Sequence, residues 1–482
     1  MKRSIMKKIV LVVVSLVLFS CNEDVLNTKP SDQIPNEEAV ANVRNARATL
    51  FGAYSRLLDD LYYTGTLTGL GDIMTGNASI TAVNTGRFAF MYRYDYNSTT
   101  QDVNDIWIRC YSIIGSVNPI IAAMPEYDNI EDPDIEEKDQ VLGEAYAIRA
   151  LAFFDLMRVY GDRFTSNSEF GVPIPATLVN PDFTAELPRS SVNEVYEYIL
   201  NDLNTALTLM DEDNSNTARF NTNAVNALLS RVYLYRADYE NAIAAANRVS
   251  GYSLINNESD FRDFWLNSEG PELIFKIATT EVDDVGTPFG WIYNFGVNGN
   301  RQDYIPTAEF LSTYEVNDFR SDVYYADLAS SGADGQVRTT VVKYPDNPAI
   351  GLAGVVEIMP LRYAEVILNR AEAYYENGQQ AQALSDLNLL RGSRGLSTIS
   401  LSGIALRDEI RAERRRELAF EGHYWHDLKR WNLDMVRIQD ENCSGANCEF
   451  TVPASSNFWL FPVPVEEVNN NRNITQAPGY AG

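Results

Sequence analysis

Three glutamates in the C-terminal part of the chain could carry acid–base chemistry. Glu413, Glu417 and Glu421 recur at every fourth position, which places them on one face of a helix. Paired carboxylates hydrolyse glycosidic bonds when one is protonated and the other is ionised. Arginines fill positions 414–416 between them, and ion pairs along a charged helix account for the same spacing. We therefore expect a structural role for these glutamates, and a lipid-anchored glycosidase of helical fold is the alternative.

Histidine and cysteine offer little for a metal site. His423 and His426 form an HxxH pattern without an acidic third ligand on the same helix, and no CxxC pair is present. We predict no metal and no cofactor. Cys443 and Cys448 enclose a short polar loop and are expected either to form a disulfide in an oxidising setting or to remain free thiols. Cys110 lies among apolar residues and is expected to be buried.

The N-terminal residues resemble a secretory signal that ends in a lipidation site. Four basic residues and no acidic residue precede the apolar run from Ile9 to Phe19. This run is too short to span a bilayer comfortably, which takes about 20 residues. The tetrapeptide that ends at Cys21 resembles the bacterial lipobox, and an ordinary signal peptide with an accidental cysteine is the alternative. We expect a signal peptide over residues 1–20 and a lipidated polar tether over residues 21–35.

The composition indicates a large acidic protein. The chain has 482 residues and a formal net charge of −27, which becomes more negative when the basic signal is removed. A surface of this charge repels phosphate backbones, so we expect no nucleic-acid partner. The 27 tyrosines, 21 phenylalanines and 6 tryptophans must mostly pack the core, although a protein that binds sugars uses some of them as stacking surfaces.

Helical periodicity dominates the elements that must position these residues. The pattern predicts helices over Glu37–Leu58, Gln101–Met124, Ile135–Tyr160 and from Ser190 or Ser191 to Met210, the last beginning with a capping box at Ser191 and Glu194.

A weak internal repeat accompanies the helical pattern. Arg149, Arg231 and Arg370 each precede an aromatic residue by four positions, and the last two units continue into a helix of small residues. This pattern is typical of tetratricopeptide-like helical pairs, in which neither helix can bury its apolar face alone.

Two segments differ from the helical blocks. Residues 61–100 and 251–357 are rich in glycine, asparagine, threonine and aromatics, with strand-like pieces at Leu273–Ile277 and Val337–Lys343. Long irregular insertions in a compact fold are usually functional. We therefore expect the ligand surface in these segments.

Four motifs in order carry a resemblance to a known family. They are Ala147–Leu156 with Tyr160–Asp162, Leu361–Glu365 with Asn369–Ala373, Glu413–His423 with Asp427–Trp431, and Leu460–Pro464 with Glu467 and Gln476–Tyr480. Together with the lipobox they resemble the SusD/RagB family of outer-membrane nutrient-binding lipoproteins over essentially the whole mature chain. The resemblance implies an all-α fold of tetratricopeptide-like helical pairs, with long loop and small-strand insertions that form a ligand face. It also implies one domain over residues 36–482, with an N-terminal part at about 36–215 and a C-terminal part at about 270–482.

The resemblance implies a binding protein and not an enzyme. Members of the family sit as lids on a SusC-like TonB-dependent barrel transporter and hand it glycans or, in some members, peptides. The acidic residues that follow Cys21 resemble the surface-export signal of lipoproteins from the Bacteroidetes group. We therefore expect a lipid-anchored protein at the outer membrane that faces the cell exterior.

Two clusters of aromatic and polar residues are the predicted ligand contacts. Sugar recognition combines flat aromatic faces with planar polar groups. The first cluster contains Asp72, Asn77, Arg87, Phe90, Tyr92, Tyr94 and Tyr96, and the second contains Trp291, Tyr293, Asn294, Phe295, Asn298, Asn300 and Arg301. The placement follows the family resemblance, and from it we predict contacts by Asp72, Arg87, Tyr92, Tyr96, Trp291, Tyr293, Asn300 and Arg301. Packing within the loops is the alternative for each of them.

Overall fold

The structure is a computed structural model. It describes residues 36–129, 132–164, 167–176, 185–211, 215–280, 282–283, 285–286, 289–293, 302–329, 334–345, 350–438, 442–443 and 448–480. The predicted signal peptide, Cys21, the tether, Asn300 and Arg301 lie outside these residues.

Helices form most of the described fold. They are α1 (Asn36–Ala39), α2 (Val43–Leu57), α3 (Thr66–Ile73), α4 (Ala89–Arg93), α5 (Gln101–Ala123), α6 (Lys138–Tyr160), α7 (Val192–Leu209), α8 (Thr222–Tyr235), α9 (Tyr239–Arg248), α10 (Glu258–Asn267), α11 (Ala308–Leu311), α12 (Arg320–Tyr324), α13 (Tyr363–Glu376), α14 (Gln380–Ser393), α15 (Gly403–Glu417), α16 (Tyr424–Trp431) and α17 (Val465–Asn470).

The strands are short and pair only in twos. They are β1 (Ala78–Ile80), β2 (Leu273–Ile277), β3 (Tyr304–Pro306), β4 (Tyr325–Ala329), β5 (Val337–Val341), β6 (Ile358–Arg362), β7 (Met435–Val436) and β8 (Thr451–Val452). Among the described residues these strands form four antiparallel sheets, which pair β1 with β3, β2 with β6, β4 with β5 and β7 with β8. The predicted all-α fold with small-strand insertions is confirmed.

Local capping explains where the predicted helices begin. Ser191 Oγ accepts from the Glu194 amide at 3.2 Å while the Glu194 carboxylate accepts from the Ser191 amide at 2.8 Å, so the predicted capping box is confirmed. The single helix predicted from Glu37 is wrong at its start. The helical conformation is interrupted between Ala39 and Val43, and Asn42 Oδ1 accepts from the Asn45 amide at 2.9 Å and caps α2.

The arginines of the internal repeat tie neighbouring helices together. Arg149 on α6 donates to the Asp202 carboxylate on α7 at 2.7 and 2.8 Å, and Arg370 on α13 donates to Asp386 on α14 at 2.8 Å. Arg231 on α8 donates to both oxygens of a carboxylate on α13. Bidentate pairs fix the relative orientation of the two helices that they join. The repeat therefore marks the helix-to-helix contacts of the scaffold.

One helix in the described part of the chain, with the turn that follows it, is long and apolar enough to cross a membrane by length and composition alone. It spans Gln101–Tyr127, and 56% of its most apolar window is buried inside the fold. Its neighbours are α2 and α6, against which it packs as a core helix.

Candidate ligand-binding surface

The glutamates of the C-terminal helix lie inside the protein. Glu413 and Glu417 are buried on α15, and Arg320 lies 2.6 Å from Glu413 and 2.9 Å from Glu417. Arg362 and Arg394 each donate to Glu417 at 2.8 Å. Burial alone would raise the pKa of Glu413, but the charges of Arg320 and Arg416 lower this pKa to about 2. Both carboxylates thus have pKa values that arginines hold below the ordinary value, as expected for a structural role.

The two histidines are buried beside the same network. Burial, together with the positive charges of Arg231 and Arg158, holds the pKa of His423 and His426 well below the ordinary value, so both imidazoles are neutral at pH 7. Among the described residues, no group of three or more His, Cys, Asp and Glu side chains is arranged to hold a metal ion.

Four of the predicted ligand contacts have side chains that pack in the core of the described fold. The aromatic rings of Tyr92, Tyr96 and Tyr293 and the carboxylate of Asp72 are all buried. Asp72 Oδ1 accepts from Asn77 Nδ2 at 2.7 Å, and its Oδ2 accepts from the main-chain amide of Gly422 at 3.2 Å. Burial raises the pKa of Asp72 to about 6, against the opposing effect of these hydrogen bonds.

The tyrosines pack against residues that are remote in sequence. Tyr92 lies under the guanidinium of Arg437 at 4.0 Å, and Tyr96 Oη donates to the carbonyl of Phe458 at 2.9 Å. The ring of Tyr293 lies 5.2 Å from that of Phe420. These partners hold the loops against the C-terminal part of the chain, so the three rings serve packing.

The two other predicted contacts within the described residues, Arg87 and Trp291, reach the surface. Arg87 and Trp291 are half-buried, and Phe90, which belongs to the first cluster but was not among the selected contacts, is 54% exposed. Trp291 Nε1 donates to the carbonyl of Ala353 at 3.1 Å, which fixes the indole on the segment that carries the exposed Leu352. We call Arg87, Phe90 and Trp291 the aromatic surface.

Helix α3 packs against both of the segments that carry the aromatic surface. A Cβ added at Gly69 would lie 3.3 Å from the side chains of both Phe88 and Ile292. The neighbours of Phe90 and of Trp291 therefore pack over the same glycine. The absence of a side chain at this position allows the two segments to approach each other closely.

A carboxylate fixes the loop that leads to Arg87. Asp303 accepts from the Thr85 amide at 2.7 Å and from its hydroxyl at 2.8 Å, and Tyr304 Oη donates to the carbonyl of Arg87 at 2.8 Å. The pairing of β1 with β3 continues this contact, with Ile80 opposite Tyr304. The first predicted cluster is thus held in place by residues about 220 positions later in the chain.

Acidic side chains lie near the Arg87 guanidinium. Burial lowers the pKa of Arg87, and the charges of Asp303, Asp60 and Asp102 act in the opposite direction. Burial raises the pKa of Asp102 to about 6 and that of Asp105 to about 7, the latter also because Asp102 and other aspartates lie nearby. The cation of the aromatic surface is therefore balanced locally, and the surface as a whole offers stacking area more than net charge.

The three cysteines in the described part of the chain comprise one free thiol and one disulfide pair. Cys110 is fully buried on α5, as expected. Cys443 and Cys448 are joined by a disulfide bond in the structure.

The fold and the surface together define a class of protein: a tetratricopeptide-like helical scaffold whose strand-bearing insertions present an exposed aromatic surface. Comparison with known proteins places this chain more closely. A family model described as "SusD family" matches residues 341–480, and one described as "Starch-binding associating with outer membrane" matches residues 60–234. These two matches cover more than half of the chain.

Relatives match along nearly its full length. The "SusD-like protein P2" of Formosa agariphila is 27% identical over 98% of this chain and 99% of its own. A SusD superfamily structure from Bacteroides thetaiotaomicron is 25% identical with a TM-score of 0.78, over 91% of this chain and 100% of the other. A "Putative sugar binding protein" from Bacteroides vulgatus is 26% identical with a TM-score of 0.77, over 91% and 99%. The chain belongs to the SusD/RagB family.

Proposed function

We propose that this protein binds glycans at the cell surface and delivers them to a SusC-like TonB-dependent transporter in the outer membrane. The observation that carries the glycan proposal is the aromatic surface, in which the Phe90 ring is 54% exposed and Arg87 and Trp291 are half-buried. The descriptions of a matching family model and of a similar solved structure, which name starch and sugar, support it.

The chemistry of the aromatic surface suits a neutral sugar. The C–H face of a pyranose stacks on an aromatic ring, and a guanidinium offers several donors in one plane to neighbouring hydroxyls. Because Arg87 is accompanied by Asp60, Asp102 and Asp303, the surface carries little net positive charge to attract an anionic polymer. We therefore propose a neutral oligosaccharide or polysaccharide as the ligand, with a peptide as the alternative.

Isothermal titration against a panel of neutral oligosaccharides and peptides tests the ligand class. Phe90→Ala is expected to weaken saccharide binding about tenfold, because loss of a central aromatic contact typically costs more than about 1 kcal/mol. Phe51→Ala is the matched control, since Phe51 is 45% exposed on α2 and lies outside the aromatic surface. Binding to peptides alone would reject the proposal of a glycan ligand. Equal effects of the two variants would reject the aromatic surface as the binding site.

The proposed anchoring and delivery rest on the N-terminal sequence and on the family. A Cys21→Ala variant is expected to keep its saccharide affinity in solution but to leave the membrane fraction and to fail in uptake by cells. Uptake that survives with the protein unanchored would show that the lipid is not needed for a lid over the transporter.

We also propose that the protein releases its ligand unchanged. Glu413 and Glu417 are the carboxylate pair that the sequence offers for hydrolysis, and both are engaged by buried arginines. Chromatography of the saccharide after prolonged incubation with the protein should show no shorter products. Hydrolysis that disappears on substitution of either glutamate would restore the enzyme alternative.

A further inference from the structure

The helix that carries Phe90 has an unusual backbone at both of its ends. Phe88 precedes α4 with a φ of 54° and Tyr94 follows it with a φ of 59°, both in the left-handed region. A bulky side chain in this region costs on the order of 1–3 kcal/mol and persists only where the surroundings impose it. A helix of five residues is also too short to be stable by itself. The position of Phe90 must therefore be set by contacts from elsewhere in the chain.

Arg437 supplies the most extensive of these contacts. Its side chain is buried, its guanidinium lies 4.0 Å above the ring of Tyr92, and its Nη2 donates to the carbonyl of Tyr92 within α4. Nε and Nη2 also donate to the carbonyl of Glu449 at 2.9 and 2.6 Å. One side chain thus joins the main chain of α4 to the main chain next to β8.

A hairpin closed by a disulfide holds Arg437 in place. Arg437 follows β7, which pairs with β8 through only two residues on each strand. A hairpin of this size is not stable alone, and a disulfide bond joins Cys443 and Cys448, which both lie between β7 and β8 in the sequence. The Glu449 amide then donates to the carbonyl of Arg93 at 3.3 Å, which is a second contact with α4.

We propose that Arg437 and the disulfide-closed hairpin form a clamp that preorganises α4, so that Arg437 is a positioning residue for the aromatic surface. The clamp acts from beneath, because Arg437 contacts Tyr92 on the buried side of α4 while Phe90 faces solvent. Holding the strained helix before a ligand arrives removes an ordering cost from binding. The consequence for affinity rests on the proposed function, whereas the clamp itself does not.

Hydrogen–deuterium exchange of the ligand-free, full-length protein tests the clamp directly. The amides of Tyr92, Tyr94 and Asp95 donate within α4 or at its end and report its opening. In Arg437→Met, and separately in the double variant Cys443→Ser/Cys448→Ser, these amides are expected to exchange about tenfold faster. The amides of α6 should keep their wild-type rates in both variants.

Arg189→Met is the matched control. Arg189 is a buried arginine that also donates to two carbonyls, those of Gly171 at 3.1 Å and Tyr160 at 2.8 Å, and that lies 5.5 Å from the ring of Phe170. Its loss should leave exchange in α4 unchanged. Unchanged exchange in α4 in both clamp variants, or a rise that α6 and the control share equally, would overturn the proposal.

Titration with the neutral oligosaccharide panel gives the functional readout. Both clamp variants should bind more weakly than the wild type and Arg189→Met. The titrations are made well below the thermal midpoint of every variant, so that unfolding does not account for the loss in affinity. If the wild type binds no saccharide, the proposed function fails while the exchange experiment still decides the clamp. If saccharide binding is normal in variants whose α4 exchanges rapidly, Arg437 does not position the aromatic surface.

Discussion

Neutralising Glu413 should destabilise the fold by an amount that its environment specifies. The arginines around Glu413 lower its pKa from 4.5 to about 2, and each pKa unit corresponds to about 1.4 kcal/mol. The Glu413→Gln variant is therefore expected to lose about 3 kcal/mol of unfolding free energy at pH 7, in agreement with the range of about 3–5 kcal/mol for breaking a buried ion pair. Urea unfolding followed by circular dichroism measures this loss.

The pH dependence gives the same prediction a second test. Because the pKa of Glu413 is lower in the folded state, its contribution is complete above about pH 5 and declines as the pH falls from 4.5 towards 2. The difference between wild type and Glu413→Gln should shrink to less than half of its neutral value near pH 3. The exposed pair of Glu258 and Arg262, with an N–O distance of 2.8 Å, provides the control variant Glu258→Gln, which should cost at most about 1 kcal/mol. Equal losses in the two variants would refute the interpretation of α15 as a buried framework.

Two further changes test the packing and the charge around the ligand loops. Gly71→Ala should destabilise the protein by about 2 kcal/mol or more, because the new Cβ would lie 2.3 Å from the backbone of Gly422. Gly115→Ala, whose new Cβ would have no atom within 4 Å, should stabilise the protein by roughly 0.5–1 kcal/mol. Urea midpoints that change alike in the two variants would contradict this. Burial, with Asp102 and other nearby aspartates, raises the pKa of Asp105 from 3.8 to about 7, so Asp105 should destabilise the wild type relative to Asp105→Asn by an amount that grows as the pH rises from about 4 through 7. Unfolding at pH 5 and pH 8 should therefore show a larger advantage of the variant at pH 8, and an equal gap at both values would contradict the shift.

The scaffold could be predicted because its signals are local. The capping box at Ser191 and the continuous apolar sequence of α6 involve residues within a few turns of one another, and both predict the observed helices. The arginines of the repeat gave the pairing of helices without giving their partners, since Asp202 lies 53 positions after Arg149. The start of α2 was predicted wrongly because Asn42 lies inside a run of suitable helical periodicity, and its capping role depends on the backbone conformation.

The exposure of individual side chains in the candidate ligand segments could not be predicted from the sequence. Whether a loop aromatic is exposed depends on partners far away in the chain, such as Arg437 for Tyr92, which are 345 positions apart. Phe90 and Tyr92 were equivalent in the sequence because the five-residue helix α4 that turns them to opposite sides has no periodic signal of its own. Only a prediction of α4 itself would have separated Phe90, which is exposed, from Tyr92, which is buried.

The charged C-terminal helix has a second task that follows from its outward-pointing arginine. Arg415 Nε donates to Asn77 Oδ1 at 2.7 Å, and Asn77 in turn donates to Asp72 at 2.7 Å. The amide of Gly422 also donates to Asp72, at 3.2 Å. The same motif that buries Glu413 therefore fixes the root of the loop that leads to the aromatic surface. Because this root is secured by α15 and the residues that follow it, side chains at the tip of the loop can change without loss of the buried ion-pair network beneath them.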